Sequence, residues 1–213
     1  MSCVAVLGGS FDPVHKGHVA LAAHFAELLR PDALRIVPAG NPWQKSPLRA
    51  SPQDRVAMLE LAFDGFALPL TIDTQEIDRQ GPSYSIDTLR ALRAELGPDV
   101  SLAFLLGADQ LQQLHTWREW QRLFDYAHLC AAARPGFSLE DVQTEVREEL
   151  SRRAGTPEQI STHAHGLVCL LPGLAIDISS TAARAALEQG KLPPAALPSA
   201  VLDYIQDHHL YRP

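Results

Sequence analysis

Residues 8–18 read Gly8-Gly9-Ser10-Phe11-Asp12-Pro13-Val14-His15-Lys16-Gly17-His18, and the reading of the whole chain starts from them. An apolar run, Val4-Ala5-Val6-Leu7, comes before, and a segment with helical apolar spacing, Val19 to Leu29, comes after. Strand, glycine turn and helix start therefore arrive in that order. Unpaired N–H groups at a helix start attract anions, and glycines let a phosphate approach the backbone closely. His15 and His18 stand at i and i+3, which puts both on one side of the first turn. The stretch predicts a site for a phosphate under attack, built from Gly8, Gly9, Ser10, Phe11, His15 and His18. Lys16, between the histidines, is expected to be a solvated charge.

Outward from this motif, apolar runs alternate with helical patterns along the chain. Strands are expected at Cys3–Leu7, Leu34–Pro38, Leu70–Asp73, Ser101–Leu106, His128–Ala133 and Gly166–Leu171. Most are continuous rather than alternating, as strands buried on both faces of a parallel sheet should be. Ser51-Pro52-Gln53-Asp54 supplies a cap, a first-turn proline and an acidic third position for a helix running to Phe63. Leu96-Gly97-Pro98 stops a helix that begins near Ser85. Ser179 or Ser180 caps a helix ending at Gly190, and a last helix is expected over Ser199–His208. The charged stretch Leu139–Ser161 is read as a peripheral helical element. This alternation predicts an α/β fold, a doubly wound, mostly parallel open sheet that binds ligands at the carboxyl ends of its strands. The whole of residues 1–213 is read as a single domain, helical at its C-terminal portion from about residue 179.

Composition narrows the class. With 213 residues, 46% of them hydrophobic, the chain can bury one good core. Its net charge of −7 argues against broad nucleic-acid binding, which needs an extended basic surface. A few cations focused in one cleft still suffice for a small phosphorylated substrate. No signal-peptide pattern and no apolar run of membrane-spanning length is present, so a cytoplasmic protein is expected. Cys3, Cys130 and Cys169 have no metal spacing and fit buried, reduced thiols. The histidines other than His15 and His18 also lack convincing metal spacing, and no dedicated metal site is predicted.

The Gly8–His18 stretch resembles the His-x-Gly-His signature of the nucleotidyltransferase superfamily that includes class I aminoacyl-tRNA synthetases. Ile178-Ser179-Ser180-Thr181-Ala182-Ala183-Arg184 resembles that superfamily's Ile-Ser-Ser-Thr-x-x-Arg signature. Physically this is a second anion site, with hydroxyls and free N–H groups at a helix start and Arg184 one turn in. The segments Gly81–Leu89, Gly107-Ala108-Asp109, Leu114–Trp117, Arg134-Pro135-Gly136 and Val201–Tyr211 narrow the resemblance to the bacterial nicotinate mononucleotide adenylyltransferase family, over essentially the whole length. One departure is visible. The family usually has Pro-Pro-His before a basic residue, whereas this chain reads Asn41-Pro42-Trp43-Gln44-Lys45, with an uncharged Gln44 in place of the histidine.

The resemblance implies transfer of an adenylyl group from ATP to nicotinate mononucleotide, giving deamido-NAD and pyrophosphate in NAD biosynthesis. It also implies roles. His18 donates to the α-phosphate and His15 supports the same region. Arg184 and Ser180 hold the β- and γ-phosphates, with Ile178 and Ser179 beside them. Gly107 and Asp109 belong to the ATP side, Asp109 accepting hydrogen bonds from the ribose hydroxyls. Trp117 stacks on the pyridine ring, a cation–π contact of about 0.5–2 kcal/mol. Main-chain N–H groups of Ser85 and Arg118 bind the nicotinate carboxylate, Tyr84 shapes that pocket, and Asn41, Lys45 and Arg134 complete the acceptor side. Mg²⁺ is expected to arrive on the ATP phosphates. ATP and nicotinate mononucleotide are the expected partners, without nucleic acid or membrane, and a homo-oligomer stays open. A related adenylyltransferase acting on nicotinamide mononucleotide or phosphopantetheine, or a non-catalytic nucleotide sensor, remains an alternative.

Overall fold

The computed structural model describes residues 1–42, 47–133, 136–174 and 178–212. Strand β1 (Cys3–Gly9) is buried from Cys3 to Leu7. Successive side chains leave a strand on opposite faces, so Cys3, Ala5 and Leu7 enter one core layer while Val4 and Val6 enter the other. A continuous apolar run is what two covered faces require. The first layer packs on α1 (Lys16–Leu29) through Ala22, Phe25 and Leu29. After β2 (Ala33–Pro38), α2 (Pro52–Ala62) adds Met58 and Leu59 to the same layer. Its N-terminus is capped as its sequence demands, Ser51 Oγ accepting from the Asp54 N–H at 3.0 Å.

The chain then forms β3 (Leu70–Ile72), the short α3 (Gln75–Asp78), α4 (Ser85–Leu96) and β4 (Ser101–Gly107). Two 3₁₀ stretches, Ala108–Thr116 and Trp120–Asp125, lead to β5 (His128–Ala133). A single 3₁₀ turn, α5 (Thr144–Arg152) and α6 (Pro157–Ile160) precede β6 (Val168–Pro172), and α7 (Ser180–Glu188) and α8 (Ser199–Asp207) close the order. The second layer contains Ile86, Leu89 and Leu92 of α4, Leu111, Leu114, Leu123 and Phe124 of the 3₁₀ stretches, and Val146 and Leu150 of α5. Leu139–Ser161 is therefore less peripheral than its charge suggested, because Val146, Leu150 and Ile160 are all buried.

The six strands form one parallel sheet in the order β3-β2-β1-β4-β5-β6. The chain winds outward from β1 through β2 to β3, then returns to the other side of β1 to start β4. That reversal opens a crevice between the carboxyl ends of β1 and β4, where ligands of such sheets bind. The expected doubly wound α/β fold is the one observed. The three thiols are buried and unpaired, and burial pushes Cys169 up to about 11 and Cys130 well above its ordinary value. No described helix is long and apolar enough to cross a membrane.

Candidate active site

The crevice at the β1–β4 reversal is a cleft of about 730 Å³. Gly8, Gly9 and Ser10 line it from the end of β1, and Gly107 and Asp109 from the end of β4. Gly9 is required by close approach, since a Cβ there would lie 2.9 Å from the Phe11 ring. Phe11 itself takes φ = 47°, the left-handed region that costs a non-glycine residue about 1–2 kcal/mol. Its ring is fully buried and meets the His18 ring edge-on, with centroids 4.9 Å apart. The Phe11 side chain therefore lies beneath the cleft rather than in its lining.

His15 is the N-cap of α1 and His18 the third residue of its first turn. Each ring accepts a backbone hydrogen bond from the other residue: His15 Nδ1 from the His18 N–H at 3.3 Å, His18 Nδ1 from the His15 N–H at 3.2 Å. This reciprocal cap does the work usually done by a serine and a glutamate. It also assigns the tautomer. With both Nδ1 atoms accepting, each neutral ring carries its proton on Nε2, so both Nε2–H groups are donors. The rings stack at 3.6 Å between centroids, and both residues line the cleft. Lys16 is exposed as expected, although its ammonium donates to the Pro194 carbonyl at 2.7 Å.

The second anion site meets the first. Ser179 caps α7 by accepting from the Ala182 N–H at 3.1 Å, and Ile178, Ser179, Ser180, Thr181 and Arg184 all line the cleft. Arg184 Nη1 donates to the Asp12 carbonyl at 2.6 Å, and Ser180 Oγ donates to the Pro13 carbonyl at 3.0 Å. The hydroxyl proton of Ser180 is therefore committed to the first motif. At this end, a phosphate would be met by main-chain N–H groups, the Thr181 hydroxyl and the Arg184 guanidinium.

A third helix start borders the same cleft. Tyr84, the N-cap of α4, makes no side-chain cap, and Tyr84, Ser85, Trp117 and Arg118 are all part of the lining. The Arg118 guanidinium sits 4.9 Å from the Tyr84 ring centre. Trp117 packs edge-on against Phe104 with centroids 6.4 Å apart, and its indole N–H has no partner among the described residues. Glu76, also in the lining, accepts from the Thr88 hydroxyl at 2.6 Å, yet burial holds its carboxyl above the usual range.

Asn41 lies outside the cleft lining; its carbonyl accepts from the Ser83 N–H at 2.9 Å and its N–H donates to Ser83 Oγ at 3.1 Å. Lys45 and Arg134, with Trp43 and Gln44, lie outside the described residues. Asp109 is exposed in the cleft and accepts from Gln110 Nε2 at 3.2 Å; it is not the cap of the 3₁₀ stretch, a position held by Gly107. Sequence reasoning passed over Asp12, Arg55, Glu76, Thr181 and Tyr211. Asp12 and Thr181 lie inside the two motifs themselves, so their signal was present; the other three reach the site only through tertiary contacts.

An open parallel sheet with three helix N-termini bordering one crevice defines a nucleotide-binding α/β protein. The profile of the cytidylyltransferase-like family matches residues 6–186. A relative from Herminiimonas arsenicoxydans named as a nicotinate-nucleotide adenylyltransferase is 60% identical, covering 99% of this chain and 97% of its own. One of the same name from Bordetella petrii is 41% identical over the full length of both. Among solved structures, the Plasmodium falciparum nicotinic acid mononucleotide adenylyltransferase complexed with NaAD matches with a TM-score of 0.76, covering 99% of this chain and 98% of its own, at 18% identity. The chain belongs to the cytidylyltransferase-like family and, within it, to the nicotinate-nucleotide adenylyltransferases.

Proposed function

We propose that this protein transfers the adenylyl group of ATP to nicotinate mononucleotide, releasing pyrophosphate and forming deamido-NAD. The observation that carries the reading is the convergence of the α1 and α7 N-termini on one cleft that also contains Trp117 and the uncapped start of α4. A phosphate oxygen of the acceptor attacks the α-phosphorus of ATP, a new P–O bond forms, and the bond to the β-phosphate bridging oxygen breaks. The acceptor phosphate is already an anion, so no general base is required.

Magnitudes divide the work. Enzymes lower barriers by about 8–23 kcal/mol, of which holding two reactants aligned supplies roughly 7–11. One helix dipole supplies only ~0.3–2 kcal/mol. Positioning between the two helix starts is the larger contribution. The Nε2–H groups of His18 and His15 donate to the α-phosphate as its charge redistributes. Arg184 and the N–H groups at the start of α7 hold the β- and γ-phosphates, and Asp109 accepts from the ATP ribose. On the acceptor side, Trp117 covers the pyridinium, and the N–H groups of Ser85 and Arg118 take the carboxylate, with Tyr84 shaping the pocket beneath the Arg118 side chain.

Mg²⁺ fits this donor set only as a companion of ATP. Among the described residues no cluster of three or more His, Cys, Asp or Glu side chains could hold a metal, and the Asp12 carboxylate is already engaged by two N–H groups and a phenol. The triphosphate oxygens and water would hold the ion, which would neutralise phosphate charge.

The test is pyrophosphate release from ATP and Mg²⁺ with nicotinate mononucleotide, its amide and phosphopantetheine assayed side by side. Release with the acid, and less with the amide, is the expected result. Release with phosphopantetheine alone would overturn the acceptor assignment, and no release with any acceptor would favour a nucleotide-binding sensor.

A further inference from the structure

The turn Ser10–Pro13 is held by residues far away in sequence. Arg55 Nη1 donates to the Ser10 carbonyl at 2.9 Å, Arg184 Nη1 to the Asp12 carbonyl at 2.6 Å, and Ser180 Oγ to the Pro13 carbonyl at 3.0 Å. The Asp12 side chain, 2% exposed, turns the opposite way. Its carboxylate accepts from the Arg49 N–H at 2.8 Å, the Ala50 N–H at 3.0 Å and the Tyr211 hydroxyl at 2.7 Å. Tyr211 lies beyond α8 and is itself buried. Burial and the neighbouring Asp12 carboxylate push its phenol far above the ordinary range, so it remains a proton donor. Arg55 is fully buried beside this pair, and its Nε and Nη2 have no partner among the described residues. Asp12 thus joins the two: its side chain meets the segment after α8 and its carbonyl meets Arg184.

We propose that Tyr211 is a positioning residue for the reaction: through Asp12 it fixes the carbonyl on which Arg184 is aligned, so the segment following the last helix sets the triphosphate clamp. This rests on the assignment of Arg184 to the triphosphate given above. A buried carboxylate that loses one of its three donors is left with an unmet hydrogen bond. Carboxylate and carbonyl belong to the same residue, so a rearrangement of Asp12 that restores the bond is passed to the carbonyl that Arg184 contacts, and a shift of about 1 Å in a positioned group costs on the order of 10²-fold in rate. Loss of one hydrogen bond of three is expected to produce part of that shift.

Tyr204 provides an internal control. It lies on α8, just before that segment, and is also a tyrosine donating to a carboxylate, Asp54 Oδ1 at 3.0 Å. That bond ties α8 to α2 at the residue before Arg55 and makes no direct contact with Asp12 or with the carbonyl that Arg184 meets. Tyr211→Phe and Tyr204→Phe should therefore be compared, each alone and with Arg184→Ala. The expected result is a drop of about tenfold in kcat/KM for ATP with Tyr211→Phe, the KM for the acceptor staying within twofold. Tyr204→Phe should leave both constants within twofold, and Tyr211→Phe should add nothing once Arg184 is alanine. Equal kinetic effects of the two tyrosine substitutions, or an undiminished Tyr211→Phe effect in the Arg184→Ala background, would overturn the proposal. Calorimetric titration with ATP alone repeats the cycle without an acceptor. A protein that binds ATP with the expected coupling but turns over none of the three acceptors therefore keeps this inference while losing the functional reading. An Arg184→Ala variant that binds ATP as the parent does would sink the assignment on which both rest.

Discussion

His15 and His18 carry two tasks on one pair of rings. Their Nδ1 atoms close the start of α1, and that duty places the remaining proton of each ring on Nε2. His18→Ala is expected to lower kcat by about 10²–10³-fold, the loss typical of one preorganised oxyanion donor. It should also cost about 0.5–2 kcal/mol of stability, because it removes half of the cap. Turnover within tenfold of the parent, measured on protein shown to be folded by circular dichroism, would remove His18 from the transition state. The same pair marks how far single residues could be read. Spacing placed both histidines on one side of a first turn, and the glycines beside them announced an anion site. It could not disclose that the rings stack and cap each other, since that depends on the backbone leaving β1 with Phe11 folded beneath Gly9.

Among the elements, α7 begins at the cleft wall. Ser179 satisfies one of its first N–H groups, and the remaining ones border the cleft. Ser179→Ala should cost about 1 kcal/mol in urea unfolding and raise the KM for ATP several-fold, while the acceptor KM stays unchanged. An equal rise in both would show that the cap serves the whole cleft rather than the triphosphate end. Caps and stops were the best-read features of this chain: Ser51, Ser179 and Leu96–Gly97 all end helices where their residue types predict. The 3₁₀ stretches between Ala108 and Asp125 escaped the reading. Their apolar residues, Leu111, Leu114, Trp117, Trp120 and Leu123, recur every three residues, the 3₁₀ period rather than the α-helical or strand period, and they pack against α4 and β5.

At the scale of the whole molecule, pH sensitivity of folding is expected to come from β5, outside the cleft. His128 is fully buried, donates from Nε2 to the His163 carbonyl at 2.8 Å and accepts the Leu167 N–H on Nδ1 at 3.1 Å. Burial pushes its pKa down to about 4 from an ordinary 6.5. The unfolded chain therefore binds this proton at a pH where the folded one does not. Stability is intact above pH ~6.5 and is lost as pH falls toward ~4, by about 2 kcal/mol between pH 7 and pH 5. His128→Asn should flatten that part of the pH dependence of urea unfolding, whatever it does to the absolute value; an unchanged slope would refute the assignment. Local chemistry written into the chain determined the elements of this protein and the nature of its site: apolar runs without alternation demand a sheet covered on both faces, and two glycine- or serine-led helix starts announce phosphate. Only the tertiary structure decided which distant groups share a cavity. Residues separated by most of the chain length, such as Asp12 and Tyr211, meet because sheet order and helix docking bring them together, and no local preference of either residue encodes that meeting.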